Sequence, residues 1–352
     1  MIGNRSACGC AHLVGSIGLD STPEIFHELG ARLKKSLRRV PDGETGPRRL
    51  WVSFQYPLLR SSPYLRPDPS GAVRVTSKFP MLCLAEGVTE QEIRFGELGY
   101  ARIARASYID FKEARDRGEL PADARFQVCL PTPMGVIYAF CTAPDVAVID
   151  RAYEKAMIEE VVALCAAIPH KDLAIQWDFC HEMLILDGQP QDWFATLNAS
   201  QAEIMQRMKR ICEPVPEGVE LGIHICYGDF GAKHFVDPLD AGRMVDVAND
   251  MARSITRRVD WFHFPDPVRR SDRAFFAPFA NLKLAPETEI YLGLLHVSQG
   301  LDDAKKRIAV AKEFLPAFGI ATECGIARAR TPDLVKKTLQ LYADAAPLTL
   351  PA

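Results

Sequence analysis

Eight short β-rich runs, separated by long stretches of helical periodicity, predict an α/β protein of the (β/α)8 TIM-barrel type. Strand–helix alternation implies parallel pairing through right-handed crossovers, and a closed ring of eight leaves no edge strand over. No glycine-rich phosphate fingerprint follows the first run, which argues against an open doubly wound sheet. The chain, 1–352, is read as one barrel domain with insertions at about 40–78 and 268–286, expected to fold over the C-terminal mouth.

The predicted strands are "HLVGSIGL" (12–19), "PMLCLAEGV" (80–88), "ARFQVCLPTP" (124–133), "LAIQWDFCHE" (173–182), "ELGIHICYGD" (220–229), "VDWFHFPDP" (259–267), "EIYLGLLHVS" (289–298) and "FGIATECGIA" (318–327). Apolar, β-branched stretches bounded by turn residues are what buried parallel strands require. Between and after them, periodicity predicts helices over 23–39, 90–117, 145–167, 192–213, 238–258, 302–314 and 331–345.

A formal charge of -3 over 352 residues gives no basic footprint for nucleic acid. No run approaches the length of a membrane span, and "MIGNRSACGCAHLVGS" does not read as a secretory signal. Ten cysteines without framework spacing point to reduced thiols and a cytoplasmic setting. Cys8, Cys10 and His12 form a C-x-C-x-H cluster, but a chain terminus offers it no fixed frame.

In a barrel of this kind the chemistry sits at the C-terminal ends of the strands. Side chains at i and i+2 share a strand face, so His224 and Cys226 point the same way. Cys324, Asp178, His296, His263 and Ser16 stand at the ends of, or within, other predicted strands. Two thiolates and a neutral imidazole form a Cys2His set, whose softness favours zinc over magnesium or calcium. "RRVPDGETGPRRLW" (38–51) places Glu44 and Arg48 in a turn beside the mouth, as a substrate-recognition loop or as solvated charges. Asp229 and His234 are candidates for fixing the tautomer of His224. Trp51, Trp177, Trp261, Phe275 and Phe276 hint at a flat or apolar substrate, or fill the core.

These motifs, in this order, resemble the catalytic barrel of cobalamin-independent methionine synthase, a family placed with uroporphyrinogen decarboxylase in one barrel superfamily. "VGSIG", "IQWDFCHE", "IHICYGD", "YLGLLH" and "ATECGIAR" carry the resemblance over nearly the whole chain. It implies zinc held by His224, Cys226 and Cys324, substrate held by Ser16 and Asp178, and His296 as proton donor. The family's fourth ligand is a glutamate at the end of strand six. "WFHFPDP" has none, so His263 or Asp266 substitutes, or water or substrate takes the place. The synthases carry two tandem barrels and this chain one, which leaves folate open as a cofactor.

The expected activity is zinc-dependent methyl or alkyl transfer to or from a small-molecule thiol, with an alkyl donor as second partner and no nucleic acid or membrane. A homo-oligomer is compatible with exposed barrel helices. The alternatives are a metal-independent lyase or decarboxylase using Arg48, Arg49, Arg328 and Arg330, a zinc hydrolase, and a binding protein without activity.

Overall fold

A computed structural model describes residues 7–74, 78–188, 199–229, 231 and 233–351. Its centre is a curled, all-parallel, seven-stranded sheet in a half-barrel arrangement. The strands are β1 (Arg39–Pro41), β4 (Arg125–Pro131), β5 (Leu173–Phe179), β6 (Glu220–Ile225), β7 (Trp261–Pro265), β8 (Glu289–Leu295) and β9 (Gly319–Thr322), paired in that order. A separate antiparallel pair, β2 (Leu65–Pro67) and β3 (Leu82–Leu84), lies in the long insertion.

Two expectations are corrected here. The run 80–88 does not enter the parallel sheet; its place beside β4 is taken by Arg39–Pro41, which straddles the end of the expected helix 23–39 and the start of the expected insertion. Three residues are too few to show a period of two. The first run does not form a strand either. Ala11 makes isolated parallel bridges to Leu37 and to Ile320, and Ile17 makes one to Ile326. Ala11 therefore touches β9 and the chain just before β1, each one residue wide, and no eighth strand joins the parallel sheet among the described residues.

The helices follow their local signals. Thr22–Leu33 starts at Ser21, whose side chain accepts from the Glu24 N–H, with Pro23 in its first turn. It buries Ile25, Phe26, Leu29 and Leu33, a helical stripe facing the core. Gln201–Cys212 opens with a reciprocal Ser200–Glu203 capping box; the preceding part of the predicted helix lies outside the described residues. Val146–Ala167, Gly242–Ser254, Gly300–Ala311 and Pro332–Ala345 fall where periodicity places them. No helix among the described residues is long and apolar enough to cross a membrane.

Alternation sorts the strand residues. Ile175, Trp177, Ile223, Phe262 and Phe264 join the main apolar core, whereas Gln176, Asp178, His224 and His263 contact one another on the other face. Gly222 has the parity of His224, and a Cβ there would stand 1.8 Å from the Trp261 ring. The missing side chain is what admits that indole. At the N-terminal ends of the strands Arg39 pairs with Glu220 and Glu289 and lies 4.0 Å from the Trp261 ring centroid, closing that end.

The insertions differ in use. Glu44, Arg49, Leu50, Trp51, Ser53 and Arg74 of the first line a cavity at the C-terminal ends of the strands. No described residue of 268–286 lines it, contrary to expectation. Phe275, Phe276 and Phe279 instead pack into the core beneath Phe264, and buried Arg307 holds the carbonyls of Pro267, Val268 and Arg270.

Candidate active site

The cavity, of about 600 Å³, falls within the range of small-molecule sites. At one pole it presents His224, Cys226 and Cys324, all buried, with their donor atoms within 4.8 Å of one another. Register explains the meeting: His224 lies level with Asp178 of β5 and His263 of β7, and Cys226 follows two residues on. Cys324 arrives from the turn after β9. The two sulfurs are 3.8 Å apart, and Cys324 Sγ is 3.7 Å from His224 Nε2. Around a tetrahedral ion with sulfurs at about 2.3 Å and nitrogen at about 2.0–2.1 Å, those edges would be about 3.8 and 3.6 Å. Two of the three edges fit a zinc ion, and the third, from His224 to Cys226, is within 4.8 Å.

A histidine relay fixes which nitrogen of His224 faces the thiols. His263 Nε2 bonds the Thr322 carbonyl at 3.0 Å, which can only accept, so this nitrogen carries the proton. Burial lowers the pKa of His263 to about 3, so its ring is neutral and its Nδ1 is a lone-pair acceptor. His224 Nδ1, 2.7 Å away, must then donate. His224 is likewise held neutral, chiefly by burial and then by its histidine neighbour. The remaining lone pair, on Nε2, faces Cys324 Sγ. This is the outer-sphere arrangement that orients metal-ligating imidazoles. His263 therefore stands outside the ligand group, both nitrogens engaged, and is placed behind His224 rather than beside it as a fourth ligand.

The other expected partners of His224 are used elsewhere. Asp229 pairs with Arg328 at 3.1 Å and Arg330 at 3.7 Å, and His234 lies between Asp237 and Glu323 at 3.6 Å from each. Arg328 also reaches Cys324 Sγ at 3.6 Å, setting a cation against that sulfur. Asp266 is held by Arg307 at 2.7 Å and is absent from the cavity lining.

The second pole is a carboxyl pair. Asp178 accepts from Gln176 Nε2 at 2.9 Å and from Trp51 Nε1 at 3.2 Å. Gln176 is itself oriented by His12 Nε2 on its oxygen, at 2.9 Å. Burial nevertheless raises the Asp178 pKa to about 7, and burial plus the Asp178 charge raises Glu44 to about 8. With both carboxyls desolvated and Glu44 raised further by the Asp178 charge, the pair holds a proton at neutral pH. Glu44 reaches the cavity through an Asx turn, its N–H 3.0 Å from Asp42 Oδ1, with positive φ at both Gly43 and Glu44. A Cβ on Gly43 would meet Ile25 at 2.2 Å. Ser16 lines the same region, against Gly325.

Arg48 is buried, bonded to Asp42, and stands behind the loop, out of the cavity lining. His296 is also absent from the lining; its Nδ1 lies 3.7 Å from Glu323. Trp177, Trp261, Phe275 and Phe276 are fully buried core, whereas Trp51 lines the cavity. Trp51 spans the two poles: its indole bonds Asp178 while its ring packs on Cys180, Cys226 and Cys324. It does so at φ 54°, ψ −113°, a strained conformation for a bulky residue.

Sequence reading passed over Cys180 and Gln176. Both have the parity of Asp178, so the rule that singled out His224 and Cys226 places them on the same inward face.

No protein-family model matches this chain, and no curated protein matches it. Among solved structures it is similar to a B12-independent methionine synthase from Shewanella sp. W3-18-1 in complex with selenomethionine. That likeness has 14% identity, 76% of this chain and 68% of the other covered, and a TM-score of 0.49. It is also similar to a putative chitinase A from Streptomyces coelicolor, at 8% identity, 69% and 80% coverage and a TM-score of 0.34. At these values the likenesses assign no activity.

Proposed function

We propose that this protein transfers a methyl or other alkyl group to or from a small thiol, with zinc held by His224, Cys226 and Cys324. The observation that carries the reading is the histidine relay, which leaves His224 Nε2 unprotonated and facing Cys324 Sγ, with Cys226 Sγ 3.8 Å from that sulfur. The strand motifs, which resemble those of cobalamin-independent methionine synthase, also support it. The scaffold is read as a (β/α)8 barrel whose first strand is reduced to the bridges at Ala11 and Ile17.

A bound zinc ion supplies a substrate thiolate at neutral pH, where a free thiol, with pKa about 8.5, is mostly protonated. The chain's residues do the rest. The Asp178–Glu44 pair, with Ser16 beside it, suits the ammonium group of an amino-acid-like thiol, whose sulfur then falls toward the other pole. Leu50, Phe79, Phe235 and Trp51 offer an apolar rim for the alkyl donor and keep water from the reacting carbon. Holding sulfur, carbon and leaving group in line converts binding into orientation. The carboxyl pair, which lines the cavity and retains a proton, is the proton source we favour over His296. Of the arginines the decarboxylase reading would use, Arg48 is paired with Asp42 and Arg328 and Arg330 with Asp229, whereas Arg49 and Arg328 line the cavity.

The test is S-methylation of L-homocysteine by methyl iodide, a model donor, with zinc measured by elemental analysis. We expect about one zinc per chain, acceleration over the protein-free rate, and loss of both in Cys226→Ser and Cys324→Ser. Full zinc in both variants refutes the ligand assignment; acceleration that survives chelation refutes the mechanism.

A further inference from the structure

We propose that Cys180 is a displaceable third thiolate, occupying the fourth position of the zinc site until a substrate sulfur takes it. The proposal rests on the metal reading above and names a residue for the position that His224, Cys226 and Cys324 leave open.

Three observations carry it. First, parallel register sets Asp178 level with His224 and Phe179 level with Ile225, and the Cys226 N–H bonds the Phe179 carbonyl at 3.0 Å. Cys180 and Cys226 are therefore successive inward residues on adjacent chains. Second, Cys180 is 1% exposed, lines the cavity, and packs with Cys226 and Cys324 in one buried group under Trp51. Third, most other donors nearby are engaged. His263 is engaged at both nitrogens, Asp178 receives Gln176 and Trp51, and Asp229 meets Arg328 and Arg330 through Oδ2, its buried Oδ1 making no hydrogen bond.

Cys180 lies beside the group whose donor atoms are within 4.8 Å of one another, not inside it. Its side chain must move to enter, and that offset makes it the ligand most readily released. The exchange balances without oxidant or reductant. A zinc–sulfur bond to Cys180 breaks, a zinc–sulfur bond to the substrate forms, and the proton lost by the substrate thiol is taken by the Cys180 sulfur. A closed Cys3His site thus opens only when a thiol is there to fill it, which keeps water off the ion in the empty enzyme.

The experiment is zinc-edge X-ray absorption on the zinc-loaded full chain, alone and with selenocysteamine under anaerobic reducing conditions. We expect about three sulfurs and one nitrogen in the wild type, and about two sulfurs with two nitrogen or oxygen neighbours in Cys180→Ser and Cys180→Ala. Selenocysteamine should replace one sulfur by selenium in the wild type, and a nitrogen or oxygen neighbour in the variants. A wild type with only two sulfurs, unchanged in the variants, overturns the role of Cys180 and leaves the zinc reading standing. A wild type that binds no zinc overturns both.

Discussion

Replacing His263 by leucine separates a buttress from a ligand. The His224–His263 bond is 2.7 Å long between rings that are 2% and 0% exposed, so water cannot replace the lost acceptor. Leaving the His224 Nδ1–H unpaired costs about 1–3 kcal/mol. That cost falls on the tautomer that binds metal, since the ring regains a partner only by turning or by moving its proton. Outer-sphere partners of metal-bound histidines are worth about 10–100-fold in affinity, which agrees with that cost at about 1.4 kcal/mol per tenfold. Competition against a chromophoric chelator, on protein shown folded by circular dichroism, should show zinc bound about 10–100-fold more weakly. The nitrogen count at the zinc edge should not change. An affinity within about threefold of the wild type, or the loss of one nitrogen neighbour, would refute the relay.

The carboxyl pair makes a prediction about pH. Glu44 has a folded pKa of about 8 against an ordinary 4.5, so between those values the folded state holds a proton that the unfolded chain has released. Its contribution to stability is complete below about pH 4.5 and is lost as pH rises to about 8. Thermal unfolding of Glu44→Gln from pH 5 to 9 should therefore decline less steeply than the wild type; an identical slope would remove Glu44 from the pair. For His296→Ala we expect zinc retained and S-methylation within about tenfold of the wild type, because the ring does not line the cavity. A loss of a hundredfold or more would return the proton-donor role to His296.

What was legible in the residues follows from periodicity. The period of two placed His224 and Cys226 on one face, and the strand–helix alternation brought Cys324 to the same end of the sheet. The helices at 146–167 and 332–345 were legible because a long amphipathic stripe needs no knowledge of its partner. Arg39–Pro41 was not, being shorter than any period, and neither was the fate of 80–88, whose apolar character suits either sheet.

Parity says which face a side chain takes and is silent about its neighbours there. Only the tertiary structure decided that His263 spends both nitrogens on His224 and Thr322, because register between β6 and β7 sets the two rings level. The same holds for Arg48, drawn to Asp42 rather than the cavity, and for Trp51, whose positive φ no sequence pattern announces. By itself the sequence picked out candidate donors and the end of the sheet they occupy. The roles among those donors were settled by distances of a few ångströms between segments tens of residues apart, which a pattern read along the chain does not contain.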